Sequence, residues 1–372
     1  MPRLSPYALP TLLAFGVLGV TSVAAADKDQ AGTAAGTQPA SPMADRANVD
    51  RILTQWPERP RLGALMMIGT YGTPHEATPE RFIWRDQGPY LRITVTRQED
   101  AHDFPKPHVD FLEHTIAYRV PADKAAALFV FDGSVTYDRT TGELSARCDL
   151  ESHNILTLNL AHDVVTGKRD AQDARAEFGK QVVADAKGEP APYLTGLKFT
   201  PEKMVADPDK PVIPGSSMRA DGKIPESGDA TALGFLVALN DNEILAASVA
   251  GKKQVSGAVK DFAKMLHTEH GKNLEATLKL GEQIKVTPVI TSEVDALSKK
   301  GAADLGKLVP LDGKEFEQAF IATMITGHRE ALTLIDGLMA KAEQDGIKKH
   351  LRETKGHLEA HVNAAEALKT KG

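Results

Sequence analysis

The sequence predicts an α+β amino-terminal module followed by an all-α four-helix bundle, and three observations carry that prediction. Short alternating runs bounded by turn residues occupy the first half of the chain and vanish after Thr231. Four long stretches with apolar residues at i, i+3, i+4 and i+7 follow, the period of an amphipathic helix. A proline- and glycine-rich stretch, 188–230, separates the two regimes; proline fixes φ and removes a backbone donor, so this composition suits a linker.

The chain opens differently from either part. Arg3 precedes an apolar run from Leu9 to Val23, and Ala24-Ala25-Ala26 supplies small residues for cleavage, so 1–26 reads as a secretory signal peptide. The expectation is an exported protein, periplasmic or secreted. Residues 27–47 are rich in Ala, Gly, Thr, Ser and Pro and bury too little to order themselves, as in a flexible tether. No later run approaches the length of uninterrupted apolar sequence that a spanning helix needs, so no transmembrane segment is expected. The formal charge of −6, from 44 basic and 50 acidic residues, argues against a nucleic-acid partner. Cys148 is the sole cysteine, so the fold has no internal disulfide and relies on its core.

Within 48–187 the spacing predicts a short helix over 62–69 ending at Tyr71-Gly72-Thr73-Pro74. A hairpin joins 81–84 to 90–97 around Gln87-Gly88-Pro89, and a second joins 133–137 to 143–147. Helical patterns fall over 109–118, 121–129, 151–166 and 171–184. Beyond the linker, 231–369 holds helices over 231–253, 258–283, 314–343 and 347–369, with room for a short helix over 292–299 in the long central connection. Short, long and short connections suit a four-helix bundle with one crossover.

Polar residues interrupt each apolar stripe of that bundle. The stripes read Phe235, Leu239, Glu243, Ala246; Phe262, Leu266, His270, Leu274; Phe320, Met324, His328, Leu332; and Leu351, Leu358, His361, Ala365. Glu243 and His270 lie 13 and 14 residues from Ser256, and His328 and His361 lie 17 and 16 from Asp345. At 1.5 Å per residue these are heights of about 20 and about 25 Å, so turns at opposite ends of a bundle about 45 Å long bring all four into one layer. Three imidazoles and a carboxylate make a ligand set for one transition-metal ion, whether zinc, iron, manganese or copper. His267 and His357, three and four residues before the core histidines of their helices, are candidates for an extra ligand or an outer contact. The competing reading is a hydrogen-bonded polar layer that sets helix register without metal, in a protein that serves as a binding or scaffolding module.

This half also resembles a known family. The runs NDNEILAASVAGKKQVSGAVKDFAKMLHTEHGKNLEATLKL, FEQAFIATMITGHREALTLIDGL and LRETKGHLEAHVNAAEAL are similar to the domain-of-unknown-function 4142 family of exported bacterial ferritin-like proteins. The resemblance spans about 231–368 and implies a ferritin-like bundle in the bacterial envelope, with no established activity; an envelope protein is the candidate partner. It departs from the family pattern at ETKGHL. Di-iron carboxylate sites need Glu-x-x-His pairs on two bundle helices, and no bundle helix here carries one, so a mononuclear site is the sharper expectation.

The amino-terminal module has its own polar cluster, HDFPKPHVDFLEH, offering His102, Asp103, His108, Asp110, Glu113 and His114. These could ligate a metal or act as a base and its orienting partner, but His and Asp also cap helices, and the structural reading is favoured. Cys148 with Asp149 and His153 could form a nucleophile pair, though a lone buried thiol is the commoner outcome. No Gly-x-Ser-x-Gly, phosphate loop, CxxC or dinucleotide-binding glycine pattern occurs, so the sequence names no reaction.

Overall fold

A computed structural model describes residues 43–202, 209, 211–216 and 227–370. The expected signal peptide, nearly all of the expected tether and much of the expected linker lie outside these residues. The described chain forms two compact units. One runs to Ile116 and includes Ala127–Val135 and Ser145–Thr200; the other comprises Ala117–Ala126, Thr136–Leu144 and the chain from Pro201 onward.

The amino-terminal part is built on one six-stranded sheet, not on two separate hairpins. Its strands are β1 (Glu76–Ala77), β2 (Arg81–Gln87), β3 (Tyr90–His102), β4 (His108–Ala117), β5 (Val135–Asp138) and β6 (Glu143–Cys148), in the order β1-β2-β3-β4-β6-β5. The expected hairpin is present, with Arg81 opposite Thr96 and Gln87 opposite Tyr90. The helix expected over 109–118 is instead strand β4, which pairs antiparallel with β3. Its burial explains the misreading: Asp110, Phe111, Leu112 and the run His114–Ala117 are all buried. A strand covered on both faces loses its alternation and resembles a helix of equal length.

Five helices accompany the sheet: α1 (Arg46–Leu53), α2 (Glu58–Tyr71), α3 (Ala125–Phe131), α4 (Glu151–Val165) and α5 (Ala171–Ala186). The expected stop after α2 is real, since Gly72 takes φ +79°, a conformation in which a side chain is strained. The core is aromatic and aliphatic, with Phe82, Trp84, Ile93, Leu112, Leu128, Phe131 and Phe178 almost wholly buried. Trp84 keeps its indole N–H satisfied by donating to the Gly72 carbonyl at 2.8 Å. The segment just after α5 is fastened to α4: Asn159 donates to the carbonyls of Tyr193 and Gly196 at 2.9 and 3.0 Å, and accepts from Lys198 N at 2.7 Å.

The carboxy-terminal part is all helix: α6 (Gly228–Ala250), α7 (Gly257–Ile284), α8 (Ser292–Leu308), α9 (Gly313–Lys341) and α10 (Asp345–Lys369). Four of these form the bundle, and the crossover helix α8 is twice as long as the sequence pattern suggests. It packs along α6, where Asn242 donates to the Leu297 carbonyl at 3.1 Å and the bare Cα of Gly301 lies against the Asn242 side chain. Ser227 caps α6 by accepting from Ala230 N, and Asp312 caps α9. Helix α6 is long and apolar enough to cross a membrane; 61% of its most apolar window is buried inside the fold.

Two apolar clusters fill the bundle. One joins the end of α6 and the start of α7 to the start of α9 and the end of α10, through Ala246, Leu266, Phe316, Phe320, Ile325 and Ala365. The other joins the opposite halves, through Leu236, Leu239, Ala331, Ile335, Leu351 and Leu358. The two short turns therefore lie at opposite ends. Between the clusters, at one height, come Glu243, His270, His328 and His361.

Candidate metal centre

The four residues are buried, at 6%, 2%, 1% and 2% relative exposure. Each helix delivers one of them because the stripe it lies on is predominantly apolar, and burying that stripe carries the polar residue inward. The three imidazoles form a near-equilateral triangle, with ring centroids 5.6 Å apart for His270–His328, 5.0 Å for His270–His361 and 5.2 Å for His328–His361. One ligand nitrogen from each lies within 4.8 Å of the others. Glu243 Oε1 is 3.7 Å from His328 Nδ1.

The hydrogen-bond partners settle which nitrogen of each ring carries a lone pair. His328 Nδ1 is 2.8 Å from the Met324 carbonyl, which can only accept, so Nδ1 holds the proton and Nε2 the lone pair. His361 Nε2 donates to Glu269 Oε2 at 2.8 Å, leaving the lone pair on Nδ1. Asn240 donates its amide to the Leu236 carbonyl at 2.7 Å, so its Oδ1 is the acceptor facing His270 Nδ1 at 2.9 Å, and His270 keeps its lone pair on Nε2. The lone pairs of His328 Nε2 and His361 Nδ1 thus face each other at 3.2 Å. His270 Nε2 and Glu243 Oε2 are buried with no hydrogen-bond partner among the described residues.

Burial sets the charge of the cluster. Desolvation lowers His328 to about 4 and takes His270 well down, helped there by the neighbouring imidazoles. Desolvation also lowers His361, against the pull of its bond to Glu269. All three rings are neutral at pH 7, the form that binds metal. Desolvation raises Glu243 to about 7, so its carboxyl ionises readily when a cation is near.

His267 and His357 do not join the cluster; both are exposed on the outer faces of α7 and α10. Glu269, Asn240 and the Met324 carbonyl hold the rings instead. Asn240 left a trace in the sequence, as an amide beside Leu239 in an apolar stripe. Glu269 left none, because a carboxylate next to a core position reads as solvated surface. A cavity of about 350 Å³ reaches the cluster from the α8 side, lined by Asn242, Glu243, Lys300, Met324 and Gly327 among others.

In the amino-terminal module, Cys148 is buried, and that burial with the nearby Asp149 carboxylate pushes its thiol well above the usual range. A thiol held protonated is a poor nucleophile unless a base or a cation takes its proton. His114 meets Asn154 Nδ2 at 3.0 Å and Glu151 at 3.3 Å, apart from His102 and His108.

No curated protein matches the chain. Among solved structures, a crystal structure of a DUF305 protein from Streptomyces coelicolor is 15% identical, with a TM-score of 0.35 over 39% of this chain and 93% of that one. The bundle, with the segment just before it, is the part for which a family is found: residues 215–368 match the model described as Domain of unknown function (DUF4142).

Proposed function

We propose that this is an exported bacterial envelope protein whose bundle binds one transition-metal ion through His270 Nε2, His328 Nε2 and His361 Nδ1, with the neighbouring Glu243 carboxylate turning in as the fourth ligand. The observation that carries the reading is the facing of lone pairs in a buried site. Two imidazole nitrogens directed at each other across 3.2 Å repel unless a proton or a cation lies between them. Burial disfavours the proton. Two nitrogens bound to one tetrahedral ion at 2.0–2.1 Å would stand about 3.3 Å apart, close to the spacing seen.

The outer contacts point the same way. Metal-bound imidazoles commonly donate their second N–H to a carboxylate, a carbonyl or an amide oxygen, which fixes the tautomer and strengthens the ligand. Glu269, Met324 and Asn240 are such acceptors, one for each ring. The donor set of three nitrogens and one oxygen suits zinc, iron, manganese or copper, and the absence of Glu-x-x-His pairs sets it apart from di-iron oxygen chemistry. A stress- or redox-related role in the envelope is consistent with the signal-like leader and with the family.

Elemental mass spectrometry on protein exported to the periplasm, and purified without chelator or histidine tag, tests this. Near-stoichiometric metal that is lost from His328→Ala is the expected result. Wild-type protein that is metal-free, and that fails to take up added zinc, copper, iron or manganese through these four residues, would leave the cluster a structural layer and the protein a scaffold.

A further inference from the structure

We propose that the amino-terminal module carries a second transition-metal site, in which His102, His108 and Asp110 bind one divalent cation and Cys148 lies beside His108 as a fourth donor. The site shares no residue with the bundle cluster and stands or falls separately from it.

The argument begins with strand geometry. His102 and His108 are directly opposite each other in the β3–β4 pair, so their side chains leave the same face of the sheet. Asp110 is two residues beyond His108, and the period of a strand returns it to that face. Ligand atoms of the three residues lie within 4.8 Å of one another. Cys148, on β6, brings Sγ to 3.2 Å from His108 Nε2. Two imidazoles and a carboxylate on one face, with a thiol at the margin, are ligands for a borderline cation such as zinc.

Asp110 shows that the face is directed at a ligand. Its side chain is 1% exposed, and Ser134 donates to Oδ2, yet Oδ1 has no hydrogen-bond partner among the described residues. The nitrogen nearest to Oδ1 is His108 Nε2, at 3.0 Å. His108 Nδ1 meets the Lys106 carbonyl at 2.8 Å, and in the neutral ring that leaves the lone pair on Nε2, facing Oδ1. A cation shared between that nitrogen and the unpartnered carboxylate oxygen would make ligands of both. Phe104 lies 6.3 Å from the His102 ring and packs on Phe131 and Phe178, and a second buried carboxylate, Asp132, brings Oδ1 to 3.7 Å from His102 Nε2. His108, Cys148 and Asp149 form an overlapping group within the same 4.8 Å limit, so His108 is common to both sets and is the decisive position.

The test is a titration of the full mature chain, stripped of metal, with Co²⁺ followed by absorption and with Zn²⁺ followed by calorimetry. Wild type should take up two equivalents, and His328→Ala should keep one, with thiolate-to-cobalt charge transfer in its spectrum. On the His328→Ala background, His108→Gln and the isosteric Asp110→Asn should each weaken the remaining equivalent at least about tenfold. Circular dichroism of the metal-free variants checks that each still folds, and Cys148→Ser should abolish the charge-transfer band. Binding by His328→Ala that is absent, or that is unchanged in folded His108→Gln and Asp110→Asn, overturns the inference and leaves the bundle reading intact. One equivalent that survives His328→Ala but not His108→Gln would support this site while removing the other.

Discussion

Two polar layers cross the bundle, and they differ in one respect. The lower layer runs from α7 to α10: Asn273 donates to Thr354 at 2.8 Å, Thr277 donates to the Asn273 carbonyl, and Thr277 Oγ1 meets His350 Nε2 at 2.8 Å, while Asn240 links it to the upper layer by donating to Asn273 Oδ1 at 3.4 Å. None of the lower layer's four side chains has an unpartnered buried atom. The upper layer of Glu243, His270, His328 and His361 leaves two atoms without partners and sets two lone pairs against each other. A layer that serves register alone closes on itself, because each orphaned group costs about 1–3 kcal/mol. Those two unpartnered atoms are what the proposed metal would join.

The contrast can be broken most forcefully through pH. In metal-free protein Glu243 is raised from 4.5 to about 7, so the folded state holds this proton where the unfolded chain has lost it. Its contribution to stability is fully present below pH 4.5 and is lost as pH rises to 7. Relative to Glu243→Gln, wild type should gain on the order of 3 kcal/mol when pH is lowered across that window. His328 has the opposite sign: lowered from 6.5 to about 4, it contributes above pH 6.5 and is lost as pH falls through 4. Chemical denaturation of both proteins at a series of pH values measures the difference; parallel curves would show that Glu243 is solvated and the layer closed.

Paired substitutions sharpen the same comparison. Asn273→Ala, in the closed layer, should cost about 1–3 kcal/mol of stability and leave metal stoichiometry unchanged. Glu269→Gln, behind the open layer, should cost little stability but weaken metal binding about 10–100-fold. A melting curve and a metal titration on each variant distinguish the roles, and an exchange of the two outcomes would reverse the assignment of the layers. The smallest effect belongs to the exposed pair. His267→Ala and His357→Ala should each change stability by less than about 0.5 kcal/mol and leave metal content as it was. Metal lost from either would mean that the cluster extends to the helix surface.

The bundle was legible in the sequence because its stripes run unbroken for several turns and its polar interruptions stand out against them. Heights counted along the helices were enough to place Glu243, His270, His328 and His361 in one layer, since helical rise is nearly constant. The amino-terminal module was harder to read. Strand β4 is buried on both faces, so its sequence carries no period-2 signal, and the pattern over 109–118 reads as a helix. That single reading concealed the register of His102 against His108, and with it the shared face of His102, His108 and Asp110. Cys148 is distant in sequence from all three and joins them only because β6 is the neighbour of β4.

By itself the sequence determined the α+β-then-bundle order, the four interrupted stripes and the mildly acidic charge. These follow from local periodicity and composition, which need no partner to be read. Only the tertiary structure decided which nitrogen of each histidine is free, that Glu269 and Asn240 rather than His267 and His357 hold the rings, and which strands are neighbours. Those depend on hydrogen bonds between residues as far apart as His361 and Glu269, and directional bonds across a packed core leave no trace in the spacing of the residues that make them.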